Sequence, residues 1–183
     1  MMPEISLNIL DVAQNSITVG SLLTEISISA DRKEDTLEVV IKDNGRGMAP
    51  EQLEKVTDPF FTTRTTRRVG VGVPFLKMAA ELTGGSFHIE STLGVGTKVS
   101  ATFGLSHIDR MPMGDIAATI TALVGPNPDI DFLFSYSINE NSFVMDTREI
   151  RKELDGVSLA EPEVLQFITG FINENIGEIG GVL

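Results

Sequence analysis

The stretch LNILDVAQNSITVGS, Leu7–Ser21, has the apolar spacing of a helix that covers a hydrophobic core. Asn8, Asp11 and Asn15 recur within it at positions i, i+3 and i+7. They therefore form a polar stripe on a helix that is otherwise mostly apolar. The stripe raises the question of what an acid and two amides do in line, so close to the buried side of the helix.

The composition limits the classes of protein to which the chain can belong. It has 183 residues, 42% hydrophobic and 22% charged, which suits one domain or one small domain with an appendage. It has no cysteine, which excludes disulfides, cysteine nucleophiles and thiolate zinc sites. Its two histidines, His88 and His107, are too few for a histidine-based metal cluster.

The charge is negative and unevenly distributed. The formal net charge is −12; residues 1–106 hold 13 acidic and 10 basic residues, whereas residues 107–183 hold 13 and 4. Such a surface repels nucleic acid and anionic membranes, so we expect neither as a partner. The chain shows no secretory leader and no apolar run of about 18 residues, which predicts a soluble cytoplasmic protein. The asymmetry predicts a boundary between a domain at 1–105 and a small acidic α/β domain at 106–183.

Apolar periodicity predicts the order of elements in the first segment. Residues 24–43 predict two strands joined by a polar turn, and 86–91 with 97–104 predict a second hairpin. Two helices lie between these hairpins, the second from about Val73 to Leu82. This order predicts an α+β fold with a mixed or antiparallel sheet covered by helices on one face.

A small α-β-β-α extension is predicted after residue 106. It consists of a helix at 114–124, a hairpin formed by 129–138 and 142–150, and a last helix after Ser158. Alternation in the first of these strands predicts that four residues face the core: Phe132, Phe134, Tyr136 and Ile138. The last helix either docks on the hairpin or mediates homodimer formation, and the sequence leaves both open.

Three glycine pairs are the first candidates for a ligand site. The chain has no G-x-x-x-x-G-K-[ST] motif, and its glycines lack the third position of a dinucleotide fingerprint. Any one pair alone would mark only a turn. Together, at strand and helix ends, they suit close approach of backbone to a ligand and convergence of amides on an anion. The pairs are Gly45/Gly47, Gly70/Gly72 and Gly94/Gly96.

Five sequence boxes resemble those of a known superfamily. DVAQNS, DNGRGM, DPFFTTR, VGVGVPFLK and GVGTK match, in order and spacing, the boxes of the GHKL ATPases. That superfamily includes histidine-kinase catalytic domains, DNA gyrase B, MutL and the anti-sigma-factor serine kinases. The resemblance covers residues 5–104. It implies the Bergerat fold, an α/β sandwich that binds ATP with Mg²⁺ under a lid.

The resemblance assigns roles to the polar stripe. Asn15 takes the place of the asparagine that binds Mg²⁺ through its amide oxygen. Asp11, one turn earlier, takes the place where ATP-hydrolysing members have a glutamate general base. Aspartate is one methylene shorter, so hydrolysis can be slow or absent, and a plain surface acid is the alternative for Asp11.

The resemblance also assigns the base-binding end of the site. Asp43 would accept a hydrogen bond from the adenine amino group, although a strand-end aspartate can also be a turn residue. Gly45 and Gly47 would let the backbone pass close to the base, and Met48 would pack near it. Thr97 would form a hydrogen bond near Asp43, or serve the strand alone.

The segment between Phe61 and Gly70 is the expected lid. Arg64, Arg67 and Arg68 lie there without an acid, and a local charge of +3 suits a triphosphate, with a solvated loop as the alternative. Gly70 and Gly72 then open a helix whose N-terminal amides and dipole favour phosphate. The lid is short, so closure is modest or needs a partner.

These features predict a stand-alone Mg-ATP-binding protein of the histidine-kinase-like type. It would be a regulatory ATPase or a protein kinase without a phosphoacceptor histidine of its own, and its partner or substrate would be another protein. His88 is expected on a strand surface, and His107 at the domain boundary. The alternative is a non-catalytic module that senses ATP against ADP and controls a partner. A degenerate fold without nucleotide affinity is a third possibility.

Overall fold

The computed structural model describes residues 3–57 and 72–183. The strands are β1 (Leu23–Asp31), β2 (Thr36–Asp43), β3 (Ser86–Thr92), β4 (Gly96–Gly104), β5 (Asp131–Ile138) and β6 (Asn141–Asp146). The helices are α1 (Ile5–Thr18), α2 (Pro50–Leu53), α3 (Gly72–Leu82), α4 (Ile116–Val124), α5 (Thr147–Glu153) and α6 (Pro162–Ile179).

The six strands form one mixed sheet in the order β3-β4-β2-β1-β5-β6. Alternate residues of the central strands are buried, as Ile26 and Ile28 show on β1, whereas Ser27 and Ser29 between them stay partly exposed. The buried face packs against side chains from α1, α3, α4 and α6. The predicted fold class, a mixed sheet with helices on one face and a C-terminal extension, is confirmed.

Antiparallel pairing brings together two of the residues that the sequence predicts to bind a ligand, Asp43 and Thr97. β2 pairs with both β1 and β4, and its last residue, Asp43, lies opposite Thr24 on one side and Thr97 on the other. The C-terminal end of α1 lies above this point, because Ser16 donates a hydrogen bond to Asp43. The register of the sheet therefore fixes Asp43 and Thr97 as neighbours.

The segment after residue 106 extends the same sheet. β5 pairs with β1 in parallel, from Leu23 opposite Asp131 to Ala30 opposite Ile138. Along the chain, α4 comes directly before β5, and it packs against α1 and α6. The boundary predicted near residue 106 is therefore not a break in the sheet, and both segments contribute to one core. The predicted core face of β5 is confirmed, since Phe132, Phe134, Tyr136 and Ile138 are all buried.

The strand predicted over 142–150 ends early. β6 stops at Asp146, whose carboxylate accepts a hydrogen bond from the backbone N–H of Arg148 and so caps α5. The Arg148 guanidinium also pairs with this carboxylate and lowers the pKa of Asp146. The prediction of strand over 147–150 is therefore wrong, because a helix cap interrupts the alternation.

No helix within residues 3–57 and 72–183 is both long and apolar enough to cross a lipid bilayer.

Candidate nucleotide-binding site

A cavity of about 180 Å³ lies between the C-terminal half of α1 and the ends of β2 and β4. Its lining is mostly apolar and includes several polar side chains. The apolar lining comes from α1, α3 and the sheet and includes Val12, Val73, Ile41, Ile89 and Val99. The polar lining includes Asn15, Ser16, Asp43 and Thr97. Such a shape suits a ligand with a flat apolar body and a few directed polar groups.

The Asp43 carboxylate is the best-defined polar group of the cavity. It is 8% exposed, and each of its oxygens accepts a hydrogen bond from the protein. The Ser16 hydroxyl donates to Oδ2 at 2.8 Å, and the Gly45 backbone N–H donates to Oδ1 at 2.8 Å. An ionised carboxylate only accepts hydrogen bonds and has further lone pairs, so Asp43 is held as an acceptor for a donor on a ligand.

The first glycine pair has a structural reason that the sequence did not reveal. A side chain at Gly45 would come within 2.8 Å of Val19 Cγ2, at the end of α1. Gly47 has a φ of +66°, and a side chain there would overlap the Thr92 carbonyl oxygen. The room left by both glycines is therefore filled by protein atoms. Gly47 and Met48 also line the cavity, and their role beside a base stays a prediction.

A hydroxyl network lies beside Asp43. The Thr97 and Ser91 hydroxyl oxygens are 2.8 Å apart, and the Met48 backbone N–H donates to Ser91 Oγ at 2.8 Å. Neither Ser91 nor Ser16 was selected from the sequence. The predicted second hairpin carried a signal for Ser91, because it places Ser91 across from Thr97.

The polar stripe of α1 divides between the cavity and the core. Asn15 lines the cavity, whereas Asn8 is fully buried and donates a hydrogen bond to the Glu4 carbonyl oxygen at 3.1 Å. Asp11 lies between them. Its Oδ2 atom is buried and has no hydrogen-bond partner among the described residues. Asp11 is also not one of the described side chains that line the cavity.

Gly72 places the start of α3 against Asp11. A side chain at Gly72 would overlap the Asp11 carboxylate, so the carboxylate contacts the first residue of the helix directly. The helix dipole favours a negative charge at this end. Asp11 and the start of this helix are thus in direct contact, which the sequence did not predict, while Gly72 itself does not line the cavity.

The remaining predicted residues are those of the lid. Phe61, Arg64, Arg67, Arg68 and Gly70 lie outside the described residues. In the part of the chain that is described, no group of three or more His, Cys, Asp or Glu side chains could hold a metal ion.

Comparison with known proteins identifies the fold around this cavity. The family model for the histidine kinase-, DNA gyrase B-, and HSP90-like ATPases matches residues 3–107. The chain belongs to this family. The match includes α1, β2 and β4, which carry the cavity, and the predicted resemblance to the GHKL ATPases is confirmed.

Among curated relatives, the sensor protein SrrB of Staphylococcus aureus is 37% identical over 101 residues. The aligned region is 52% of this chain and 17% of SrrB, so about half of the chain matches a small part of that sensor protein. The chain therefore contains an ATPase domain similar to those of histidine kinases.

Two solved structures resemble the fold. The N-terminal domain of a DNA repair protein aligns over 98% of this chain and 57% of its own, with a TM-score of 0.51 and 14% identity. The Aquifex aeolicus MutL ATPase domain complexed with ADP aligns over 73% of this chain and 60% of its own, with a TM-score of 0.48 and 15% identity. The first of these alignments includes the extension after residue 107, which therefore belongs to a fold seen elsewhere.

Proposed function

We propose that this chain binds ATP in the cavity, with the adenine at the Asp43 end and the phosphates toward Asn15 and the start of α3. One observation carries the proposal. Asp43 is a buried carboxylate, held by two donors of the chain itself, in the wall of a mostly apolar cavity. The exocyclic amine of adenine is a donor that suits such an acceptor. Membership of an ATPase family supports the same ligand.

The site residues fit a magnesium ion bound with the triphosphate. Amide and carboxylate oxygens are the ligands of hard cations, and Mg²⁺ needs few protein ligands because it keeps its waters and binds phosphates. Asn15, which lines the cavity, would hold the ion through its side-chain oxygen. When bound, the ion would offset the charge of the phosphates.

Asp11 is the candidate general base, and a general base would make this chain an enzyme and not only a binding protein. Its buried Oδ2, which has no hydrogen-bond partner among the described residues, would accept the proton of an attacking hydroxyl. The hydroxyl oxygen bonds to the γ-phosphorus while the bond to the β,γ-bridging oxygen breaks, and ADP leaves. Water as the attacking group gives a regulatory ATPase. A serine or threonine of another protein gives a protein kinase, and a histidine acceptor would serve the same transfer.

A sensing function is the second candidate. Asp11 is not among the described residues that line the cavity, and its side chain is shorter than glutamate. Under this proposal the chain distinguishes ATP from ADP and transmits the difference to a partner protein without turnover.

A thermal-shift titration tests binding. Wild type should be stabilised by Mg-ATP and ADP, by about 2.7 kcal/mol at 100 times the dissociation constant. Asp43→Ala should remove the shift, while Glu38→Ala, an exposed control on the same strand, should keep it. Absence of any shift in wild type would refute the proposal.

The fate of γ-labelled phosphate then distinguishes the two functions. Label released to water assigns an ATPase, and label on a partner protein assigns a kinase. Label that stays on bound ATP assigns the sensor.

A further inference from the structure

Ser91 has three hydrogen-bond contacts at the edge of the cavity, and no role has been assigned to it so far. It lies on β3, directly across from Thr97 on β4. The Met48 N–H donates to its hydroxyl at 2.8 Å, and the hydroxyl donates to the Gly96 carbonyl oxygen at 3.1 Å. Its oxygen also lies 2.8 Å from the Thr97 hydroxyl oxygen.

When all three hydrogen bonds form, only one assignment of donors and acceptors is possible. A serine hydroxyl has one proton and two lone pairs. The Gly96 carbonyl can only accept, so it takes the Ser91 proton, and the Met48 N–H can only donate, so it uses one lone pair. The other lone pair then accepts from Thr97. The Thr97 proton therefore points at Ser91, away from the cavity.

The consequence is that Thr97 and Asp43 both offer only acceptors to a ligand. Thr97 presents lone pairs, and Asp43, its register partner across β2 and β4, presents a carboxylate. At the position of the 6-substituent of a purine, both groups suit an N–H donor. A carbonyl oxygen placed at the same point would face lone pairs without a proton between them, which is unfavourable.

We propose that Ser91 is a positioning residue that fixes Thr97 as an acceptor and so makes the site discriminate 6-amino from 6-oxo purine nucleotides. The inference rests on the proposed function and deepens it, since it assigns base selectivity to a residue outside the cavity lining. Asp43 sets most of the preference, and Ser91 removes the freedom of Thr97 to turn its proton toward a 6-oxo group.

The test compares dissociation constants of ATP and inosine triphosphate, which carries a 6-oxo group, by calorimetric titration. Ser91→Ala frees the Thr97 proton, so the preference for ATP over inosine triphosphate should fall about three- to tenfold, the range of one neutral hydrogen bond. Ser91→Thr keeps a hydroxyl and should restore the preference. Ser86→Ala, an exposed serine on the same strand, should leave it unchanged.

Two further outcomes separate Ser91 from a purely structural residue. If Ser91 only stabilised the hairpin, Ser91→Ala would weaken both nucleotides equally, and an unchanged ratio overturns the proposal. In a Thr97→Val background, Ser91→Ala should no longer change the ratio, because the hydroxyl that it orients is gone. A wild type that binds neither nucleotide overturns the proposed function as well, whereas ATP binding with an unchanged ratio overturns this inference alone.

Discussion

Asp43 and Asp11 are two carboxylates near one cavity, and the fold treats them in opposite ways. Asp43 ends a central strand, and each of its oxygens accepts a hydrogen bond from the protein. Asp11 lies on α1, and one of its oxygens is buried with no partner among the described residues. Asp43 therefore has both of its oxygens paired within the protein, whereas Asp11 has a buried oxygen that no described residue satisfies.

The difference has an energetic meaning. A buried polar atom without a hydrogen bond costs about 1–3 kcal/mol, and more when it is charged. Folded proteins keep few such atoms, and those that remain are often at functional positions. The two hydrogen bonds of Asp43 stabilise the folded state, whereas no described residue gives Asp11 Oδ2 such a bond.

Replacement of Asp11 should give the largest effect on turnover. Asp11→Asn keeps the shape of the side chain and removes its capacity to take a proton, so phosphate release or transfer should fall about 10²- to 10⁴-fold. ATP affinity should change little, because Asp43 and the cavity walls are intact. Single-turnover assays with labelled ATP measure the first quantity and calorimetric titration the second. Wild type that binds ATP without any turnover would instead assign the site to sensing.

The same variant should leave the free energy of unfolding within about 1 kcal/mol of wild type, because the amide keeps the shape of the side chain and Oδ2 has no hydrogen-bond partner among the described residues. Urea unfolding without nucleotide measures this free energy. A loss of more than about 1 kcal/mol would show that Asp11 has a structural partner after all.

Replacement of Asp43 should reduce affinity rather than turnover. Asp43→Asn exchanges an acceptor for a donor at the base, so ATP should bind about 30- to 100-fold more weakly, as for loss of a hydrogen bond to a charged group. Unlike Asp11→Asn, it should also destabilise the fold, because Ser16 and Gly45 lose a charged acceptor. If Asp11→Asn and Asp43→Asn both destabilised the fold, the two carboxylates would not differ in their contribution to stability.

The sequence predicted more of the backbone than of the hydrogen bonds. Periodicity is a local property, so the helix that carries Asn15 and the strand that ends at Asp43 were predictable. The hydroxyls of Ser16 and Ser91 were missed because a serine's partner is set by which strand or helix lies within about 3 Å, which depends on tertiary register. The parallel pairing of β5 with β1 left no local signal, because it is fixed by the packing of α4 between distant segments.

Ser16 offers a smaller change at the same end of the cavity. Ser16→Ala removes one of the two donors to Asp43 and leaves a buried carboxylate oxygen unpartnered, which makes Asp43 resemble Asp11. ATP affinity should fall about tenfold, because the acceptor is no longer held in one orientation. Ser29→Ala, on the open face of β1, is the matched control for calorimetric titration. Equal affinities for the two variants would show that Gly45 alone holds Asp43.

Tyr136 is a buried polar residue that does not line the cavity. Its ring is fully buried in the extension, and its hydroxyl donates a hydrogen bond to the Gly181 carbonyl oxygen at 3.3 Å. Burial raises the pKa of Tyr136 from 10.0 to about 12, although Arg110 and Arg32 nearby favour the ionised form. The folded state thus retains the proton between these values, while the unfolded chain loses it. The contribution of Tyr136 to the free energy of unfolding should not change with pH below pH 10. It should decrease from pH 10 toward 12, by at most about 1.4 kcal/mol per pH unit.

Because Tyr136 is the only tyrosine, and the chain has no tryptophan, absorbance of tyrosinate follows its ionisation directly. Lysines also titrate in this range, so the relevant quantity is the difference in unfolding free energy between wild type and Tyr136→Phe, measured with urea at pH 8 and pH 11. The wild type should lose more stability than Tyr136→Phe over this interval. Ionisation of Tyr136 near pH 10 in the folded protein would mean that its hydroxyl is accessible to water. The hydroxyl would then not be buried with its partner in the way that the Asp43 carboxylate is.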